Sequence, residues 1–146
     1  MTGQARHLRV LFLCTHNSAR SQMAEGLLRS LAGDALDVQS AGTVATTVRP
    51  EAIQVMREIG IDIRGHTSKS LSAFVSQPFD YVITVCDEAN ESCPFFPNAR
   101  VRLHWSVEDP SKAEASEDDR LEAFRVARDA LRGRIEDELL PVLKSK

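Results

Sequence analysis

The chain has 146 residues, 42% of them apolar and 27% charged, with a formal net charge of −3. That is the size and balance of one globular domain, taken here as residues 1–146. A mildly acidic chain is not built to hold nucleic acid or an anionic membrane surface, and no run approaches the roughly 20 apolar residues of a membrane span. Met1-Thr2-Gly3-Gln4-Ala5-Arg6-His7 carries no apolar core, so no signal peptide is expected. The expected setting is the reducing cytoplasm, and the expected state is a monomer. Three cysteines, an odd number without dense spacing, then read as reactive thiols rather than a disulfide framework.

The first element is Leu8-Arg9-Val10-Leu11-Phe12-Leu13, a short apolar run of the kind buried in a parallel sheet. A helix follows, with Met23, Leu27, Leu28 and Leu31 on one face and Gly33 as its stop. Ala35 to Ser40 reads as a second strand, closed by Ala41-Gly42. Pro50 suits the first position of a second helix whose buried stripe is Ile53, Met56 and Ile59, ended by Gly60. Ile61 to Ala73 is a polar connection with at most one helical turn. Phe79 to Val85 is the third strand and Ala99 to Leu103 a shorter fourth. Ser106 to Glu117 is an acidic, irregular loop. Leu121, Phe124, the stem of Arg128, Leu131, Ile135 and Leu139 then mark a long amphipathic C-terminal helix.

This alternation predicts an α/β fold, with helices on both faces of a mostly parallel sheet. Ligands of such sheets sit beyond the carboxyl ends of the strands. Strand one runs directly into Cys14 and strand three directly into Cys86. If the two strands are parallel neighbours, both cysteines arrive at one edge of the sheet.

Between strand one and the first helix lies Cys14-Thr15-His16-Asn17-Ser18-Ala19-Arg20. Successive amides of such a loop can curl around a tetrahedral oxyanion, and the helix N-terminus adds partial positive charge. Arg20 supplies a planar fork for two of the anion's oxygens. The same field stabilises a thiolate, which makes Cys14 a nucleophile at neutral pH. Asn17 and Ser21 have short polar side chains suited to hydrogen-bonding that thiolate. An isolated cysteine at a strand end is ordinarily a small buried hydrophobe; the strand, cysteine, five residues, arginine and helix in succession favour the anion loop.

With these residues in view, the chain resembles the thioredoxin-coupled arsenate reductases, which share a fold with the low-molecular-weight protein tyrosine phosphatases. The resemblance runs through Cys14 to Gly26, Ser40-Ala41-Gly42, Gly60-Ile61-Asp62-Ile63, His66-Thr67-Ser68, Val85-Cys86, Cys93-Pro94, His104-Trp105 and Asp109-Pro110. It implies a three-layer sandwich around a four-stranded parallel sheet in the order 2-1-3-4. It also implies a reaction. Cys14 attacks the arsenic of arsenate, held by Arg20 and the loop amides, while Asp109 protonates the departing oxygen. Cys86 then attacks Cys14 and releases arsenite; Cys93 attacks Cys86, and thioredoxin, the external reductant, reduces the Cys86–Cys93 disulfide. Phosphate and sulfate are the expected oxyanion analogues, and no bound cofactor or metal is implied.

Asp87 to Ser92, the six residues between Cys86 and Cys93, are polar and lack a bulky apolar anchor, so the segment is expected to rearrange during the cycle. Cysteines 72 and seven residues apart lack zinc-ligand spacing. Some relatives carry an acidic residue after His-Thr-Ser and bind potassium near Asn17, Glu25 and Ser40. Here that position is Lys69, whose ammonium is expected to replace the ion. His66 is expected to brace the loop before strand three, and Trp105 to pack rather than touch substrate. Two other functions stay open. The loop would serve a tyrosine-type phosphatase equally well, although Ser111 follows Asp109-Pro110 where those enzymes typically carry tyrosine. A non-catalytic oxyanion-binding module on the same fold has no need of Cys86 and Cys93.

Overall fold

The computed structural model describes residues 8–14, 17, 19–33, 36–42, 46–85, 99–107, 110 and 116–144. Four strands, β1 (Leu8–Cys14), β2 (Leu36–Gly42), β3 (Phe79–Thr84) and β4 (Ala99–His104), form one parallel sheet in the order β2-β1-β3-β4. Val10 to Leu13 of the inner strand β1 are fully buried, which is why this segment reads as an unbroken apolar run rather than an alternating one. β2 extends beyond Ser40 through Ala41 and Gly42, because these residues pair with Leu13 and Cys14. β4 closes the opposite edge with Arg100, Val101 and Arg102 exposed, charges that discourage pairing with a further strand.

The helices are α1 (Arg20–Ala32), α2 (Pro50–Arg57), α3 (Glu117–Arg134) and α4 (Leu140–Lys144). Val10, Phe12, Cys14, Tyr81, Ile83 and Val85 share a core with α1, α2 and α3. Leu11, Leu13, Ala41 and Val82 look the other way, toward Leu71, Phe74 and Phe79 around the 3-10 turn Leu71–Ala73. Phe74 and Phe79 meet edge to face with centroids 6.0 Å apart. No described helix is long and apolar enough to cross a membrane.

Each helix departs from its sequence reading for a physical reason. In α1 the buried face ends at Leu28, and Leu31, expected in the core, is exposed where the last turn leaves the packed region. In α2, Met56 is fully buried but Ile53 and Ile59 only partly; Ala52 and Val55 complete the stripe because α2 presses closely on α1 and α3. Ile63, in the segment read as polar, is fully buried against α1 at Gly26. A Cβ at Gly26 would lie 2.7 Å from Ile63 Cγ2 and 3.1 Å from Met56 Cε. Glycine is retained in mid-helix despite its poor propensity because the neighbouring chain approaches so closely.

α3 is capped by Ser116, whose hydroxyl accepts from the Asp119 amide at 3.2 Å. It is pinned to α2 by the fork of Arg125 on Glu58 and by Arg128, which donates to the Val55 carbonyl at 2.8 Å. The predicted long C-terminal helix is interrupted by a π-helical turn, Ile135–Leu139, in which the Leu140 amide reaches back to the Ile135 carbonyl. Pro141 has no N–H for an ordinary helical bond, and Leu131, Ile135, Leu139 and Leu143 repeat every four residues. That spacing drifts about 40° per step around a straight α-helix. One wide turn brings the stripe back, and all four residues are buried.

Candidate active site

The sheet order places β1 and β3 side by side, as the resemblance implies. Register pairs Leu13 with Thr84, and the Val85 amide donates to the Leu13 carbonyl at 2.8 Å. The described part of strand three therefore ends beside the neighbour of Cys14, one residue short of Cys86. Cys86, Cys93, Asp109, Thr15, His16 and Ser18 lie outside the described residues, as does the segment from Asp87 to Ser92.

Cys14 ends β1 and is 3% exposed. Its Sγ is 2.8 Å from Ser21 Oγ, on the first turn of α1. Asn17 adopts a left-handed conformation, φ 50°, which asparagine tolerates better than most residues. Its Nδ2 donates to Ser21 Oγ at 2.8 Å and to Ser40 Oγ, on β2, at 3.0 Å. Both residues expected to support the thiolate are thus in contact with one another, and Ser21 touches the sulfur itself.

Ala19, buried at the N-cap of α1, has no side chain with which to cap the helix. A helix N-terminus without a side-chain cap suits an anion. Arg20 is 6% exposed, and one guanidinium nitrogen donates to the Val107 carbonyl at 2.9 Å. Val107 lies two residues before Asp109 in the sequence, so Arg20 is bonded to the described stretch that precedes the candidate acid. Trp105 is packed, as expected, with its ring centroid 6.2 Å from that of Phe12. Tyr81 is buried in β3.

Three partners of this site had no assigned role in the sequence reading or only a borrowed one. Gln22, completely buried, donates from Nε2 toward the Asn17 carbonyl, Asn17 Oδ1 and the Thr67 carbonyl, at 3.1, 3.0 and 3.0 Å. Ser40 donates to Glu25 Oε1 at 2.5 Å. Glu25, 3% exposed, pairs with Arg29 at 2.9 Å and has Lys69 Nζ 4.0 Å and His66 Nε2 3.9 Å away. Their one visible sequence signal is the crowding of Ser21, Gln22 and Glu25 into the first turns of a helix, where polar residues would otherwise face water.

His66 braces its loop, as expected: Nδ1 lies 3.0 Å from Gln22 Oε1. Burial pushes the imidazole below its ordinary value; the Glu25 charge opposes this, while Arg29 and Lys69 add to it. Lys69 Nζ also donates to the Thr67 carbonyl at 3.0 Å, which leaves an ammonium beside the Glu25 carboxylate.

Residues 9–145 match a family described as low molecular weight phosphotyrosine protein phosphatase. The chain is similar to an arsenate reductase of Halalkalibacterium halodurans, 44% identical over 126 residues that make up 86% of this chain and 91% of the relative. Among solved structures it is similar to an arsenate reductase in the phosphate binding state, with TM-score 0.77 and 35% identity over 89% of this chain and 95% of that one. A thioredoxin-dependent arsenate reductase of Corynebacterium glutamicum superposes with TM-score 0.75 at 29% identity, covering 96% of this chain and 64% of that one.

Proposed function

The chain belongs to the low molecular weight phosphotyrosine protein phosphatase family, and on that premise we propose that it is an arsenate reductase whose nucleophile is Cys14. The observation that carries this reading is the Cys14 sulfur itself, in contact with Ser21 on the first turn of a helix that has no side-chain cap and that opens on buried Arg20. Phosphate and arsenate share shape and charge, so this geometry alone serves a phosphatase too. The reductase reading draws further support from the end of β3, bound through Val85 to Leu13, and from the arsenate reductase relatives.

Arsenate is held by Arg20 and by the amides of Thr15, His16, Asn17, Ser18 and Ala19. The Cys14 thiolate attacks arsenic, and Asp109 protonates the oxygen that leaves as water. Cys86 then attacks Cys14 sulfur. The sulfur–arsenic bond breaks with its electron pair moving to arsenic, which departs as arsenite, and the two sulfurs are oxidised to a disulfide. Cys93 attacks Cys86, frees Cys14, and leaves a Cys86–Cys93 disulfide for thioredoxin to reduce. Such a cycle requires a reducing compartment, and we assign the protein to the cytoplasm. Lys69 supplies the cation that potassium provides in some relatives, so no potassium stimulation is expected.

The test is arsenate-dependent NADPH oxidation in the presence of thioredoxin and thioredoxin reductase. Wild type should turn over, while Cys86→Ser and Cys93→Ser should not. Turnover that survives loss of both thiols would remove the relay. Phosphatase activity of wild type that exceeds its arsenate turnover would favour the phosphatase instead.

A further inference from the structure

We infer that Gln22 is a positioning residue for Cys14: it fixes the direction of a chain of hydrogen bonds so that the Ser21 hydroxyl donates to the sulfur. The inference rests on Cys14 being the nucleophile of the proposed reaction, and it assigns work to a residue that touches neither substrate nor sulfur.

The direction follows from groups that have no choice. Backbone carbonyls only accept, so the Thr67 and Asn17 carbonyls, 3.0 and 3.1 Å away, turn the Gln22 amide nitrogen toward themselves. That nitrogen is also 3.0 Å from Asn17 Oδ1, which accepts the Lys69 amide N–H at 2.7 Å as well. With Oδ1 held as an acceptor, Asn17 Nδ2 must point the other way, and its two hydrogens go to Ser21 and Ser40. Ser40 passes its own proton to Glu25. Ser21 Oγ accepts from Asn17 and retains one proton, and Cys14 Sγ stands 2.8 Å from it. Ser21 can then donate a hydrogen bond to the thiolate that attacks, which a charged acceptor makes the strong kind. With one Gln22 N–H on Thr67, the other is shared between the two oxygens of Asn17 and so holds that residue in its left-handed conformation.

The same logic reaches His66 from the other side. Gln22 Oε1 accepts, so His66 Nδ1 must carry a proton. Burial favours the neutral ring, which leaves Nε2 bare at neutral pH. The tautomer of His66 therefore reports the direction of the hydrogen bond on Cys14.

Two measurements test this, and neither uses arsenate. The first is the rate of alkylation of Cys14 by iodoacetamide at pH 6, followed by the mass of the Cys14 peptide, which reads the thiolate fraction. Ser21→Ala sets the scale and should slow alkylation about tenfold, the usual worth of one hydrogen bond to a charged group. Gln22→Met should slow it about threefold or more when Ser21 is present and leave it unchanged in the Ser21→Ala background, because Gln22 acts through Ser21. Equal slowing in both backgrounds, or none in either, overturns the inference. The second needs no substitution. Nitrogen-15 NMR of the intact protein at pH 8 should find the His66 proton on Nδ1, and a proton on Nε2 alone would reverse the whole chain and overturn the inference. Loss of arsenate turnover with both results as expected would count against the reductase reading alone.

Discussion

The two edges of the sheet are built from similar numbers of polar groups and use them in opposite ways. At the amino edge one line of charge crosses all four strands. Asp37 of β2 accepts from Arg9 Nε at 2.8 Å, the Arg9 amide donates to Asp80 of β3 at 2.8 Å, and Asp80 faces Arg100 of β4 at 3.5 Å. Arg9 also donates to the Pro78 carbonyl and Gln77, and its guanidinium lies 4.4 Å from the centre of the Phe79 ring. Each charge there meets an opposite one, partly in water, and the cluster fixes strand register. At the carboxyl edge the described groups linked to the sulfur through hydrogen bonds are neutral and buried: Ser21, Asn17, Ser40 and Gln22. Within this network charge is set back on Glu25 and its cations, and the described link to the sulfur is the Ser21 hydroxyl. Paired charges hold a sheet together; a dry chain of neutral donors can bias one atom.

If this contrast is right, substitutions at the two edges separate stability from chemistry. The largest effect belongs to Cys14→Ser, which should abolish arsenate turnover by at least about 10^4-fold while leaving the urea midpoint almost unchanged. Asp80→Ala at the amino edge should do the reverse. It strands the half-buried Arg9 amide and should cost about 1–3 kcal/mol in urea denaturation, with kcat/KM of the folded enzyme preserved. A loss of kcat/KM matching that of a carboxyl-edge variant would break the comparison. Ser21→Ala should lower kcat/KM about tenfold and shift stability little. Gly26→Ala, which crowds Ile63 beneath the carboxyl edge, should cost about 1–2 kcal/mol after the gain in helix propensity is counted.

The smallest effect is in pH. His66 is held below its ordinary 6.5, so the unfolded chain binds this proton more tightly than the folded one. Its contribution is intact above 6.5 and is lost as the pH falls from there toward the folded value. For Asp37, burial raises the pKa, but the hydrogen bonds from Arg9 and Gln39 and the charges of Arg9 and Arg29 outweigh it, and the net shift is downward from 3.8. Its contribution is present above 3.8 and disappears only below that. Urea midpoints measured from pH 8 to pH 3 should therefore fall in two windows, the first absent in His66→Gln and the second in Asp37→Asn. A single acid transition below pH 4 that both variants share would contradict this.

Much of this frame is legible in the sequence because it depends on local pattern. The apolar run of β1 and the proline that opens α2 mark where those elements begin, whereas the sheet order comes with the family resemblance and not with any local pattern. Leu31 misleads because periodicity marks a face without saying where its partner ends. Ile63 is missed because Ile61 and Ile63 are too short a pair to set a period in a polar segment, and only the close approach at Gly26 shows its place. The π turn follows from Pro141 and a four-residue repeat, both visible, but the widening is a tertiary solution to keeping Leu143 in the core. At the site, Cys14, Asn17, Arg20 and Ser21 fall within one eight-residue stretch and can be read from the motif. Gln22 acquires its role only when Thr67, His66 and Lys69 arrive from a loop some 45 residues away, which no local spacing reveals.

The central claim is that Cys14 is the first station of a relay rather than a phosphatase nucleophile. The most direct measurement mixes Cys93→Ser protein with excess arsenate in the absence of thioredoxin and follows arsenite release together with the disulfide map of the protein. The account predicts one arsenite per chain and a Cys14–Cys86 disulfide. Arsenite release without that disulfide, or no arsenite from a protein that still hydrolyses phosphate esters, would contradict it.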